Sequence, residues 1–402
     1  MAPLFVACGW SPTNIPFGQG ASIVNDASAG GTSPSSSLPN YARRTCPESR
    51  NPEMMSCDVL VRTNDGENAV EGLVPEDIQS AYRLPSSSRG AGSVVAVVDA
   101  YDDPKIESDL NVYRVHFGLP SCTTATGCFR KLNQLGEAGP FPAKTPNWSE
   151  EESLDVDMVS AVCPNCKILL IEANSNNATD LGAAVNEAVQ LGAHVVSNSY
   201  GSTGSLGRFT REIASDFDHK GTVIVAAAGD AGYYGHEDHS PAGFPTVVAV
   251  GGTALTRGGG GERGWSEVAW ALTGGGCNYY SKPMWQGEGR ACQGRLANDV
   301  SAVASYDTPV AVYDTDPGTG LPRPWFLAGG TSVATPIIAS IYALAGNAAD
   351  EDAGESLYTK ATSLFDVTAG SNGVCRIAVL CIAKRGFDGP TGNGTPDGIG
   401  AF

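Results

Sequence analysis

The sequence predicts an α/β fold, a mostly parallel sheet flanked by helices on both faces. Two observations carry that expectation. Continuous runs of Val, Ile, Leu and Ala recur at 94–100 (VVAVVDA), 167–173 (KILLIEA), 194–200 (HVVSNSY), 222–230 (TVIVAAAGD) and 247–253 (VVAVGGT). Segments of helical pattern, at 150–162, 178–191 and 208–219, separate several of them. Strands without polar alternation are buried on both faces, as in a parallel sheet covered by helices. At 402 residues the chain is as compatible with one large α/β domain as with two.

Residues 1–72 have little apolar periodicity, and 28–39 (SAGGTSPSSSLP) is a linker-type stretch. They read as a low-complexity N-terminal region, with a single patterned domain over 73–402. Residues 255–330 are Gly-rich and read as irregular, a buried helix is expected over 332–346, and 365–402 is turn-rich. In sheets of this kind sites form beyond the carboxyl ends of the strands. Asp99, Ser197, Ser199 and Asp230 lie at such ends.

The net charge is −18, with no basic cluster, so nucleic acid is not an expected partner. No apolar run is long enough to span a membrane. Ten of the eleven cysteines fall as near neighbours: Cys46/Cys57, Cys122/Cys128, Cys163/Cys166, Cys277/Cys292 and Cys375/Cys381, with Cys8 left over. That spacing suggests local disulfides in an exported, secreted protein. Cys163-Pro-Asn-Cys166 follows a predicted helix and precedes a strand, so it reads as structural rather than redox-active. The N-terminus, MAPLFVACGW, lacks the basic n-region and long apolar core of a signal peptide. Either the start is truncated or misassigned, or export uses another route.

The motif GGTSVATP (329–336) presents Ser332 at a Gly-rich turn feeding a helix, where the dipole and free N–H groups favour developing negative charge. A serine nucleophile needs a base, usually histidine. The chain has five histidines, none in a setting that suggests a triad. The segment 150–162 (EEESLDVDMVSAV) offers another base. On a helical wheel Leu154, Met158, Val159 and Val162 form an apolar arc, and Glu151 and Asp155 fall inside it. Glu150 and Asp157 point away, and Glu152 sits at the margin. Two inward carboxylates share a proton and raise one pKa. A Glu paired with an Asp can be ionised near pH 4, where imidazole is protonated and useless as a base.

These motifs, taken in order, resemble the sedolisin (serine-carboxyl peptidase) family, in the form of its secreted actinomycete-type members. The resemblance covers about residues 73–402. It rests on the ExxxD helix with its proline turn (Glu151, Asp155, Pro164), VVSNSYG (195–201), AAAGDAG (226–232), FP..VVAVGGT (244–253), the Gly-rich run ending at Gln286, GGTSVATP, and the tail FDVTAGSNG...GFDGPTGNGTP. It implies a subtilisin-like fold in which a Glu–Asp pair replaces histidine. By that resemblance Ser332 is the nucleophile, Glu151 the general base, Asp155 its orienting partner, and Asp230 a protonated donor in the oxyanion hole. It also implies one structural calcium ion, held by the carboxylates of Asp366 and Asp388 and the carbonyls of Val367, Lys384 and Gly386. Lys384 stands where the family often has a small residue, and its carbonyl can still ligate. Asp99 occupies the strand that carries the triad aspartate in subtilisins; with no histidine to orient, a supporting role is expected. Sedolisins are commonly made with a long folded propeptide, whereas about 72 residues precede the domain here, so either the prosegment is short or the gene start is wrong.

The expectation is therefore a monomeric acid endopeptidase acting on extended polypeptides, with the strand edge near Ser197–Gly201 pairing with the substrate backbone. A histidine-based subtilisin would need an HGTH-like segment, and an α/β-hydrolase a GxSxG; neither occurs.

Overall fold

The computed structural model describes residues 38–63, 72–204, 208–259, 261–287, 291–316, 324–350 and 354–402. Cys8 and most of the 28–39 stretch lie outside them. Three short strands come first: β1 (Ala42–Arg44), β2 (Ser56–Cys57) and β3 (Leu60–Arg62). Then follow α1 (Pro75–Ala81), β4 (Val94–Ala100), α2 (Ile106–His116), β5 (Phe129–Asn133), α3 (Pro146–Val162), β6 (Lys167–Ala173), α4 (Ala178–Gln190), β7 (Val195–Asn198), β8 (Tyr200–Gly204) and α5 (Arg208–Ile213). The second half contains β9 (Val223–Ala227), β10 (Tyr233–Gly235), β11 (Asp238–Ser240), β12 (Val247–Arg257), β13 (Trp265–Ala269), β14 (Gly275–Ser281), β15 (Gly294–Leu296), β16 (Val300–Val303), β17 (Val310–Tyr313), β18 (Trp325–Gly329) and α6 (Thr331–Ala345).

The apolar runs build the central sheet, in the order β13–β12–β9–β7–β4–β6–β5, with β16 also on β12. Every pairing in it is parallel except β12 with β13. Val95–Val98, Ile168–Ile171 and Val223–Ala227 are almost wholly buried, because helices cover both faces. The helix α6 (TSVATPIIASIYALA) packs beneath β7 and β9 and against α3, while α4 covers β4, β6 and β7. The expected doubly covered, mostly parallel sheet is thus present.

Three readings change. Residues 255–330 are not irregular: β13 to β18 occupy much of that span, as strands of three to seven residues interrupted by glycines, too short to leave a periodic pattern. Residues 38–63 are built into the fold. β1 pairs with β3, β3 with β18, and β2 with β8, all antiparallel. The third change concerns α3. Its outward face does not meet water, and Glu150, Glu151, Glu152, Asp155 and Asp157 all have 0% exposure. α1, α2, α6 and β17 wrap around this helix, and the N-terminal segment supplies partners for it. Glu150 accepts from the Thr45 hydroxyl at 2.7 Å and from Arg43, and Asp157 accepts from the Tyr313 N–H at 3.0 Å.

The five expected disulfides are all formed. Cys163–Cys166 staples the turn between α3 and β6, in keeping with its structural reading. Among the described residues no helix is long and apolar enough to cross a membrane.

The buried acids make stability depend on pH. Burial, then the nearby charges of Glu172, Asp103 and Asp99, raise Glu152 well above its usual range. Burial likewise lifts Asp103 to about 6, and Asp99, Glu172 and Asp314 to about 8. Each group ionises less readily folded than unfolded. The stability they allow is fully present below about pH 4 and is lost as pH rises through 6 to 8. The melting temperature is therefore expected to fall by ~5 °C or more between pH 4 and pH 8. Scanning calorimetry checks this, and a melting point that rose toward pH 8 would contradict it.

Candidate active site

Ser332 is the second residue of α6. Gly330, with φ of 108°, turns β18 into that helix, a conformation glycine adopts without a Cβ penalty. A methyl group on Gly330 would also collide with the Asp58 carbonyl oxygen and with Oδ2 of Asp230. Asp230, beyond the end of β9, holds the first turn of the helix. Its Oδ1 accepts from the Thr331 N–H at 2.8 Å and from the Thr331 hydroxyl at 2.9 Å. The Thr331 hydroxyl oxygen in turn accepts from the Gly229 N–H at 3.1 Å. Oδ2 of Asp230 is buried without a hydrogen-bond partner. Burial raises Asp230 to about 7, against the pull of Arg44 and of the two Thr331 bonds.

Glu151 and Asp155 sit one turn apart on α3, which packs on α6. Oδ1 of Asp155 accepts from the Ser199 hydroxyl at 2.8 Å. Burial and then the charge of Asp99 push Asp155 well up, and the Ser199 bond opposes them. Glu151 is driven up by burial, then by Asp155 and Asp99, while the neighbouring Ser332 hydroxyl lowers it. The Ser332 hydroxyl nonetheless donates to the Ser199 carbonyl, at 3.1 Å, and both oxygens of Glu151 lack a hydrogen-bond partner. The nucleophile candidate is thus parked on a carbonyl beside the carboxyl expected to activate it.

Asp99, at the end of β4, adds a third carboxyl to this group. Both its oxygens are buried without partners, and burial alone raises it to about 8. Among the described residues no histidine hydrogen-bonds Ser332. The buried ring of His239 lies against Gly201 and Gly229, and burial lowers it to about 4.

The structure therefore brings Glu151, Asp155, Asp230 and Ser332 into one region, with Ser199 bridging two of them. Asp366, Val367, Lys384, Gly386 and Asp388 lie apart, in the tail. There Asp388 accepts from the Lys384 N–H at 2.7 Å and from Thr391, and Asp366 accepts from the Gly386 N–H at 2.9 Å. Burial, with a smaller contribution from Asp366, raises Asp388 to about 6. Among the described residues no group of three or more His, Cys, Asp or Glu side chains is gathered as a metal site.

Sequence reasoning missed Asp58 and Arg44. The Arg44 guanidinium donates to the Asp230 carbonyl at 2.7 Å. The Asp58 N–H donates to the Ser199 carbonyl at 3.3 Å, and the Asp58 carbonyl accepts from the Ser332 N–H at 3.1 Å. The short run CDVLVR (57–62) was the available signal, a strand-like stretch inside a region without longer periodicity. The strand edge expected to await a substrate is occupied: Ser56 pairs with Gly201 and Cys57 with Tyr200.

The family model of the subtilases matches residues 138–373, more than half of the chain. Kumamolisin from Bacillus sp. (strain MN-32) is 28% identical over 365 residues, covering 82% of this chain and 63% of its own length. Sedolisin from Pseudomonas sp. (strain 101) is 26% identical over 364 residues, covering 81% of this chain and 60% of its own. The chain thus spans somewhat under two thirds of these relatives. Among solved structures, Pseudomonas sedolisin (a serine-carboxyl proteinase) complexed with two molecules of pseudo-iodotyrostatin aligns with a TM-score of 0.64 and 24% identity, over 82% of this chain and 96% of that one. A lanthipeptide protease aligns at 0.52 with 16% identity, over 81% and 91%, and shares the fold alone. The chain belongs to the subtilase family, and within it resembles the sedolisins.

Proposed function

We propose that the chain is a secreted, acid-active serine-type endopeptidase that cleaves polypeptides through an acyl-enzyme. The meeting of Ser332 with Glu151 and Asp155, without a histidine, carries this reading. The likeness to kumamolisin and sedolisin supports it, and the five disulfides support export.

In this reading Ser332 Oγ attacks the peptide carbonyl and passes its proton to Glu151. Asp155, held by Ser199, orients Glu151 and shares its proton. Glu151 must be ionised for this step, although burial and its acidic neighbours hold it up. The first negative charge among Glu151, Asp155 and Asp99 meets no like charge within that trio; repulsion acts only on the second and third. The cluster therefore releases its first proton more readily than its later ones, against the burial that holds all three groups up. Asp230 assists from the opposite side. Protonated, its free Oδ2 donates to the oxyanion beside the Ser332 N–H; ionised, it repels the same charge.

The tail is proposed to hold calcium. Asp366 and Asp388 are acidic neighbours; burial raises Asp388, and the charge of Asp366 adds to it. Two carboxylates do not complete a calcium shell, so the carbonyls of Val367, Lys384 and Gly386 would have to supply further oxygens, which calcium accepts.

Digestion of a denatured protein between pH 3 and 8 tests the peptidase reading. Activity is expected in acid and to decline as pH rises through about 7, where Asp230 loses its proton. Ser332→Ala should lower the rate by ~10⁴-fold or more. Asp230→Ala should lower kcat by ~10²–10³-fold. Glu151→Gln should be inactive, while Glu152→Gln should retain most activity, since Glu152 faces Glu172 and Asp103 instead. A neutral optimum, or equal losses in the two Glu variants, would sink the carboxylate-base reading.

Chelation tests the tail separately. A chelator is expected to lower the melting temperature by several degrees, added calcium to restore it, and Asp388→Ala to abolish the response. A melting point indifferent to both additions would exclude a structural calcium ion there.

A further inference from the structure

We propose that His239 is the specificity-determining residue of the candidate site: its ring receives the side chain on the acyl side of the scissile bond and favours glutamate there. This rests on the reading of Ser332 as a peptidase nucleophile and adds which substrates that nucleophile cuts. A cavity of about 440 Å³ opens beside the nucleophile, lined by Gly201, Gly229, Asp230, Tyr234, His239 and Gly274. Gly201 follows closely on Ser199, whose carbonyl accepts from the Ser332 hydroxyl. Asp230 holds the turn that presents Ser332. A residue whose carbonyl rests on the Ser332 N–H carries its side chain to this cavity, as Asp58 does.

The imidazole is built into the cavity wall. His239 lies on β11, which pairs antiparallel with β8, and its N–H donates to Oδ1 of Asn278 at 2.7 Å. The residue is only 4% exposed. Tyr234 stacks on the ring, with centroids 5.6 Å apart and 19° between the planes. A Cβ on Gly201 would collide with Cε1 of the ring, and one on Gly229 with Nε2. Glycine at both positions thus admits the ring between the edge of β8 and the residue before Asp230. The ring is fixed, yet its Nδ1 is buried without a hydrogen-bond partner. An unpaired buried nitrogen carries a desolvation penalty. An apolar ring would fill the same space without it.

A neutral imidazole offers one donor and one acceptor, which a side chain ending in a carboxyl or carboxamide group can match. Burial lowers His239 to about 4, close to the ~4.3 of a free glutamate. In acid the ring and a glutamate share one proton, and their bond is charge-assisted when the ring holds it. Glutamine makes only the neutral form. Aspartate is too short: Oδ2 of Asp58, bordering the same cavity, has no hydrogen-bond partner. Lysine and arginine find no free carboxylate. Burial raises Asp58 well up and Asp230 to about 7, so both keep their protons at pH 4. Glu48 pairs with Arg44, and Glu237 with Arg50. Tyr234 is raised by burial and stays neutral. Asp238, the residue before the ring, is turned to the Tyr279 N–H at 2.8 Å, and burial raises it too.

The full chain is assayed at pH 4 on casein and on peptides identical but for the residue before the scissile bond: Glu, Gln, Asp, Leu, Phe or Lys. For wild type, kcat/KM is expected to be about tenfold or more higher for Glu than for Leu or Phe, with Gln between and Lys lowest. His239→Phe keeps the ring's plane and loses both nitrogens; it should lower kcat/KM for Glu about tenfold more than for Leu. His239→Gln keeps a donor and an acceptor and should still favour Glu over Leu. A residue that only filled space would lower all peptides together. The wild-type series stands alone should either variant fail to fold. A wild type that cuts casein but prefers Leu, Phe or Lys to Glu, or a folded His239→Phe that slows every peptide equally, overturns the specificity inference and leaves the peptidase reading standing. A wild type that cuts neither casein nor any peptide between pH 3 and 8 overturns both.

Discussion

Everything at the candidate site depends on the burial of an acidic helix. Five carboxyl groups of α3, at positions 150, 151, 152, 155 and 157, are closed off from water. An ionised carboxylate buried without a partner costs several kcal/mol, whereas holding a proton costs about 1.4 kcal/mol for each pH unit above the group's pKa. In acid, protonation is the smaller penalty wherever no donor is at hand. The structure uses both solutions. Glu150 and Asp157 have donors, from Thr45 with Arg43 and from the Tyr313 N–H. Glu151 and Glu152 have none at either oxygen. For these two, acid is a condition of the fold before it is a condition of any chemistry.

The same constraint separates neighbouring residues by task. Glu151 and Glu152 are adjacent, and the ~100° between successive helical residues sends them to different surroundings. Glu152 meets Glu172, whose carboxylate is bridged by Lys131 at 2.6 Å, a local charge balance beside β5 and β6. Glu151 meets Asp155, Asp99 and the Ser332 hydroxyl, with no cation among the influences on it. A carboxyl neutralised by lysine is a poor proton acceptor. One surrounded by other acids and a serine exchanges protons with them. Charge environment, rather than residue type, distinguishes the candidate base from its neighbour.

How much of this was legible in the sequence follows from the range of the forces involved. The strands at 94–100 and 167–173 match their apolar runs because a doubly covered parallel strand leaves an unbroken local signal. The wheel singled out Glu151 and Asp155 by their apolar neighbours, and the structure sets that pair beside Ser332 and Ser199. It failed for Glu150, Glu152 and Asp157, because a wheel assumes one solvent face and α3 has none. Ser332 was legible through Gly330, whose positive φ marks the strand-to-helix turn. Asp58 was not, because nothing local distinguishes it. Its place is set by pairings with β8 and β18, more than 140 residues away in sequence.

Those distant pairings bear on what the intact chain is able to do. In the proposed reading, a peptide bound for attack at Ser332 would use the Ser199 carbonyl, the Ser332 N–H and the edge of β8. In the intact chain residues 56–58 already hold all three. The segment also contributes Arg43, Arg44 and Thr45 to contacts with Glu150 and Asp230, so its hold extends beyond the cleft. An external peptide would have to displace an intramolecular strand whose ends are already in place, and it would bear an association entropy that the resident strand does not. The resident segment therefore competes with any external peptide for the same edge and the same backbone groups.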